Sequence, residues 1–358
     1  MTIIDGYTHT VGSHCETGSV RNMLRTAGLE ASEPMIFGVG SGPAFYYLFF
    51  AKGPSTFPLL GIRNKPGTII KNVGKLCSIG VSSKAFATTD QAIEKANALI
   101  DAGTPVAACV DMYFMSYLPA FMHVHAPFHF ILLVGRDDGS YVVSDPYSEE
   151  LGVLTEEVLR TAWETHAPMA QDNLLVHVTS VPEQVDWMRA ARRAIRRTCR
   201  DMLLPPVFRS IFGFVGIEGI RTYAKNIRRW TSTYRGVVMR EGVLFDAVAF
   251  EAQGTGGGAF RLMYGAFLQE AAALFGSEAL TELAGRMIED GEGWREVSRR
   301  LVAVGKRLPL DEEAYDDWLT ENRRELEEGL EDVARLVDER ADVEERLFRD
   351  LGSAASAL

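Results

Sequence analysis

The chain has 358 residues with a formal net charge of -11, which argues against a general nucleic-acid binder because phosphate contacts need a basic face. Its apolar fraction of 47% and aromatic fraction of 10% are those of a globular protein, and at roughly 100 to 200 residues per domain the length admits two cores. The longest apolar runs fall far short of a bilayer span and no signal-like segment opens the chain, so it reads as a cytoplasmic, unprocessed protein.

The elements follow in chain order. In "GSHCETGSVRNML", residues 12 to 24, Cys15 stands directly before a segment whose apolar residues, Val20, Met23 and Leu24, fall at helical spacing; this helix should end near Gly28. "SEPMIFGVGSGPAFYYLFF" is too broken by Gly and Pro for one regular element. "TTDQAIEKANALIDAG" has a Thr cap, an apolar face of Ala92, Ile93, Ala96, Leu99 and Ile100, and a terminal Gly, and reads as an amphipathic helix. "TPVAACVDMYF" reads as a buried strand, "HFILLVGRDDGSYVVSDP" as two strands about an Asp-Gly turn, and "NLLVHVTSV" as another strand.

Beyond Val181-Pro182 the pattern is helical nearly throughout, which places a boundary near residue 183, with domains 1–182 and 183–358. "EQVDWMRAARRAIRRTCRDML" is a helix that Pro205-Pro206 stops, and "AFRLMYGAFLQEAAALFG" is another after a glycine-rich turn. Charge is uneven: residues 186–235 are rich in arginine and 310–350 in Glu and Asp.

A thiol attacks as thiolate, which a helix N-terminus and a neighbouring imidazole both favour. Cys15 meets the first condition by pattern. For the second, His129 opens an apolar strand whose hairpin partner ends in "SDP", so a hairpin would set Asp145 beside His129. A nucleophile, a base and an orienting acid are then all present. The other three cysteines, Cys77, Cys109 and Cys199, read as buried hydrophobes; scattered spacing suggests neither a disulfide framework nor a zinc knuckle.

Three stretches, "GSHCETGSVRNML", "SEPMIFGVGSGPAFYY" and "GTGGGAFRLMYGAFLQEAA", together resemble the butirosin biosynthesis protein H family over nearly the whole chain. The resemblance implies an α+β fold: a papain-like N-terminal domain of the bacteriocin-processing-peptidase variety, followed by a mostly α-helical domain. It implies acyl transfer from the phosphopantetheine thioester of an acyl carrier protein to a small-molecule amine, with no other cofactor. Cys15 would be the nucleophile, His129 the base and Asp145 its orienter. Where such peptidases carry an oxyanion-hole glutamine, six residues before the cysteine, this chain has His9. His9 or the Cys15 backbone N–H could donate there.

Other readings stand beside these. His125 is the reserve base, and His123, His125 and His129 at odd spacing could hold a metal, although Pro127 argues against one straight strand and no metal is expected. "QGTGGGAFR" could cradle an anion through Gly256 and Gly257 with Arg261 as the charged contact, or be a tight packing turn. Arg192, Arg193, Arg196 and Arg197 could dock an acidic carrier protein or form a solvated face. The same thiolate could instead serve a thioester hydrolase or cyclase, and a non-enzymatic binding module is the rival from another class. A homo-oligomer is left open.

Overall fold

A computed structural model describes residues 2–49, 56–166, 170–204, 213–252, 254 and 256–358. In chain order the elements are β1 (Thr2–Ile3), α1 (Cys15–Thr26), α2 (Glu33–Val39), β2 (Pro43–Leu48), β3 (Leu59–Arg63), α3 (Thr68–Cys77), β4 (Gly80–Ala85), α4 (Thr89–Asp101), β5 (Val106–Val110), β6 (His129–Asp137), β7 (Ser140–Ser144), β8 (Gly152–Thr155), α5 (Glu156–Trp163) and β9 (Leu174–Ser180). Then come α6 (Trp187–Met202), β10 (Gly213–Val215), α7 (Gly216–Ile227), α8 (Trp230–Thr233), α9 (Gly236–Glu251), α10 (Arg261–Phe275), α11 (Glu278–Arg307) and α12 (Tyr315–Ala357). Pro205-Pro206, expected to stop α6, lie outside the described residues.

The chain forms two compact units, Met1–Gly40 with Lys65–Ala190, and Ser41–Asn64 with Ala191–Leu358. Ser41–Asn64, which falls within the 1–182 domain expected from the sequence, belongs with the helices of the second unit. There β2 pairs with β3 and β10 in a small antiparallel sheet, with Tyr46 opposite Gly61 and Val215. This pairing joins residues far apart in sequence, so periodicity within either segment carries no trace of it.

The first unit is built on an antiparallel sheet of order β4-β9-β5-β6-β7-β8, with β1 added to β6. One face packs on α4 and α5 through Val106, Ala108, Val110, Ile131 and Leu133 against Ala92, Ile93, Ala96, Leu159 and Trp163. Thr88 caps α4 by accepting from the Gln91 N–H, as its sequence position suggests. β6 and β7 form the expected hairpin, Leu132 opposite Ser144, with a register shift between Leu133 and Gly135. In this unit the α+β class holds, and a cysteine-headed helix packs on an antiparallel sheet. The second unit is a helical assembly in which α11 packs on α9, α10 and α12, their seams filled by Met287, Trp294, Leu301, Val333 and Phe348.

Among the described residues, no helix is long and apolar enough to cross a membrane.

Candidate active site

Cys15 is the first residue of α1 and is buried, 5% exposed. Its turn is fixed by side chains on both sides. His14 is the N-cap, its Nδ1 accepting from the Thr17 N–H at 3.4 Å. The buried Glu33 carboxylate at the start of α2 accepts from the Ser13 N–H (3.0 Å), the His14 N–H (3.2 Å) and the Thr17 hydroxyl (2.9 Å), and Arg21 stands 3.5 Å away to balance its charge. Glu33 therefore holds the peptide that presents the thiol. Nothing in its local pattern marks it out, because the contact spans two helices.

Gly18 brings α1 against the end of the hairpin. A Cβ at Gly18 would stand 2.8 Å from Pro146 Cβ, so only glycine allows the helix to lie this close to the Asp145-Pro146 turn. The Gly12 N–H donates to Pro146 O at 2.8 Å and ties the same seam from the other side.

His129 opens β6 and Asp145 directly follows β7. Both are buried, and His129 Nε2–H donates to Asp145 Oδ2 at 2.8 Å. That bond leaves Nδ1 as the ring's second nitrogen. Burial opposes a charge on the ring, but Asp145, and after it a hydrogen bond and charge from Cys15, push the His129 pKa up to about 10. Burial likewise opposes the carboxylate, yet His129 and the Tyr147 N–H (2.9 Å to Oδ1) hold Asp145 below the usual carboxylate range. His129 is thus bonded to Asp145 on one side and feels the charge of Cys15.

Tyr117, which sequence patterning does not single out, donates its hydroxyl to Asp145 Oδ2 at 2.9 Å. Burial and the adjacent carboxylate raise its pKa well above that of an ordinary tyrosine, so it remains a donor. Tyr147 lies against the His129 ring, centroids 5.1 Å apart, and limits its tilt.

Other expected site residues lie elsewhere. His9 is corrected as an oxyanion donor: its Nε2–H donates to Ser148 O at 2.9 Å and its Nδ1 accepts from the Ser144 hydroxyl at 2.7 Å, which uses both ring nitrogens. His125 pairs with Asp111 (2.8 Å) and His123 with Leu118 O (3.0 Å), so the three clustered histidines serve three different partners. Among the described residues no group of His, Cys, Asp and Glu is arranged to hold a metal.

Arg261 is corrected as a ligand contact. It is fully buried, with Nε and Nη2 on the two oxygens of Glu344 (2.8 and 2.9 Å) and Nη1 on Ala259 O (2.8 Å), while Trp294 Nε1–H also donates to Glu344. The glycine turn before it is closed likewise. Gly256 and Gly257 both have positive φ, a Cβ on Gly257 would meet Arg295 Nη2 at 2.5 Å, and the Gly258 N–H donates to Glu251. The Glu251 carboxylate that takes the Gly258 N–H is itself paired with Arg295 at 3.0 Å; Gln253 and Thr255 of the expected turn lie outside the described residues.

On α6 the expected arginine face is redrawn. Arg193 and Arg196 are exposed, but Arg192 is half-buried and donates to Leu358 O (3.1 Å), and Arg197 is half-buried with Nε 3.6 Å from Asp201. The exposed stripe is Arg189, Arg193, Arg196 and Arg200, at the three- and four-residue spacing of one helix face.

Comparison with known proteins adds the following. Residues 14–146 match the model of butirosin biosynthesis protein H, N-terminal, and residues 157–351 match a domain of unknown function, DUF4872. No curated protein matches the chain. Among solved structures, a C39-like peptidase from Bacillus anthracis aligns at 15% identity with a TM-score of 0.36, covering 51% of this chain and 98% of that one.

Proposed function

Because the chain belongs to the family in which the butirosin biosynthesis protein H N-terminal domain precedes DUF4872, we infer that it is a cysteine-dependent acyltransferase of natural-product assembly. It takes an acyl group from an acyl-carrier-protein thioester and passes it to an amine. The observation that carries this reading is the line from Cys15 at a helix start, through His129, to the buried Asp145.

In the first half-reaction the Cys15 thiolate attacks the thioester carbonyl, and the positive end of the α1 dipole favours the developing oxyanion. Collapse breaks the bond to pantetheine, and the His129 imidazolium gives its proton to the departing sulfur. Neutral His129 then accepts a proton from the amine as it attacks the Cys15 thioester. The amide forms, Cys15 leaves as thiolate and the starting pair is restored. Asp145 keeps the ring in the required tautomer in both halves, supported by Tyr117 and the Tyr147 N–H.

An acidic carrier protein would meet the exposed arginine stripe of α6, in a chain that is otherwise acidic. Thiol release from an acyl-pantetheine thioester, followed with and without added amine, tests the reading. Turnover that requires amine and yields amide supports it; amine-independent turnover to free acid would make the enzyme a thioester hydrolase.

A further inference from the structure

Two imidazoles at one end of the first unit's sheet are each held by a buried carboxylate, through opposite nitrogens. His129 is buried and uses Nε2 toward Asp145. His125 uses Nδ1 toward Asp111 Oδ2, at 2.8 Å, and its side chain is 69% exposed. The two pairs are neighbours by register: Val110 stands opposite His129 in the β5–β6 ladder, and Asp111 is the next residue.

Asp111 does more than meet a surface histidine. It is 2% exposed, and its Oδ1 accepts from the Tyr113 N–H (3.2 Å) and the Ala126 N–H (2.9 Å), pinning the loop segments that carry Tyr113 and His125. The Tyr113 ring stacks on the His125 ring, centroids 4.2 Å apart and planes 16° apart. With Nδ1–H donating to Asp111, the lone pair lies on Nε2, which makes no hydrogen bond among the described residues. Asp111 and Tyr113 together hold the exposed ring in one orientation, with Nε2 left as its acceptor.

Proton accounting supplies the task. An alkylamine arrives as R–NH3+ and ends as an amide nitrogen, so two protons leave it. After acylation His129 is neutral and accepts one, during attack; the other must leave earlier to free the nitrogen's electron pair. We propose that His125 is the acceptor of that first proton. Its Nε2 takes the proton from the ammonium, giving R–NH2 and an imidazolium shared with Asp111 and Tyr113, and then passes it to solvent. The proposal rests on the acyl-transfer reading above.

The experiment separates the half-reactions. Cys15 is first acylated with a small acyl thioester, and the acyl-enzyme is then mixed near neutral pH with propylamine, which is protonated there, or with hydroxylamine, which is not. His125→Asn keeps a donor where Nδ1–H stood, and with it the bond to Asp111, but removes the acceptor nitrogen. The variant is expected to acylate at the wild-type rate, to discharge to hydroxylamine normally and to discharge to propylamine about tenfold more slowly or worse. Free imidazole should restore propylamine discharge in His125→Ala. Equal discharge rates for wild type and variant with propylamine, or parallel losses with both amines or in acylation, would overturn the proposal. Wild-type acyl-enzyme that no amine discharges would overturn the acyl-transfer reading with it.

Discussion

Asp145 accepts from His129 and Tyr117 through the same oxygen, Oδ2, at 2.8 and 2.9 Å, while its other oxygen takes the Tyr147 N–H. Every hydrogen bond the carboxylate makes therefore bears on where the imidazole points.

Asp145→Asn should leave the sheet intact and lower acylation by about 10²- to 10⁴-fold, since the ring loses both its tautomer control and its counter-charge. The pH profile is the more specific readout. With His129 raised to about 10, wild-type acylation should fall only as pH rises through that value, and the asparagine variant should shift the fall to lower pH. Linkage has the same sign: a raised folded-state pKa adds stability that is complete below the ordinary histidine value near 6.5 and is lost as pH rises through about 10. Urea titrations from pH 6 to 10 should show a steeper decline for wild type than for Asp145→Asn.

Thiol reactivity should single out Cys15. All four cysteines are buried, but burial pushes Cys77 and Cys199 up to about 12, whereas Cys15 sits at a helix start beside His129. Peptide mapping after brief iodoacetamide treatment near pH 6 should find label on Cys15 first. Equal labelling of all four, or selective protection of Cys15, would contradict the ion-pair assignment.

In the second unit, burial raises the Asp246 carboxyl well above the usual range, against one stabilising hydrogen bond from Tyr223 at 2.9 Å. A folded state that keeps this proton loses stability as pH climbs above the ordinary aspartate value, because the unfolded chain ionises more readily. Asp246→Asn should thus raise stability at pH 7 to 8, by an amount on the order of 1 kcal/mol or more, with the difference vanishing near pH 3. Denaturant midpoints at the two pH values check this.

Replacing Arg189, Arg193, Arg196 and Arg200 with Ser should raise KM for an acyl-carrier substrate by about tenfold, each exposed pair being worth at most ~1 kcal/mol. The effect should shrink with salt and be absent with a small acyl thioester. Equal losses on both substrates would instead show that the stripe supports the fold.

Much of the site could be read along the chain because its signals are local. The apolar period after Cys15, the Asp-Gly turn and the "SDP" ending define a helix start and a hairpin, and the hairpin sets Asp145 beside His129. What escaped depends on contacts between distant segments. Glu33 looks like an ordinary first-turn acid of α2, Tyr117 lies in an irregular loop, and the bonds of His9 exist only because the N-terminal segment runs beside the end of β7. Arg261 followed a glycine turn as a ligand arginine would, but its partner Glu344 lies 83 residues away, so the buried pair has no local signature.

The central claim is that Cys15 carries the acyl group between donor and acceptor. Intact-mass spectrometry of the protein after exposure to an acyl-pantetheine thioester, with peptide mapping, measures this directly. The account predicts one added acyl mass on the Cys15 peptide, absent in Cys15→Ala and lost on addition of amine as the corresponding amide appears. An unmodified Cys15 under conditions that turn over substrate, or an acyl group found on another residue, would contradict it.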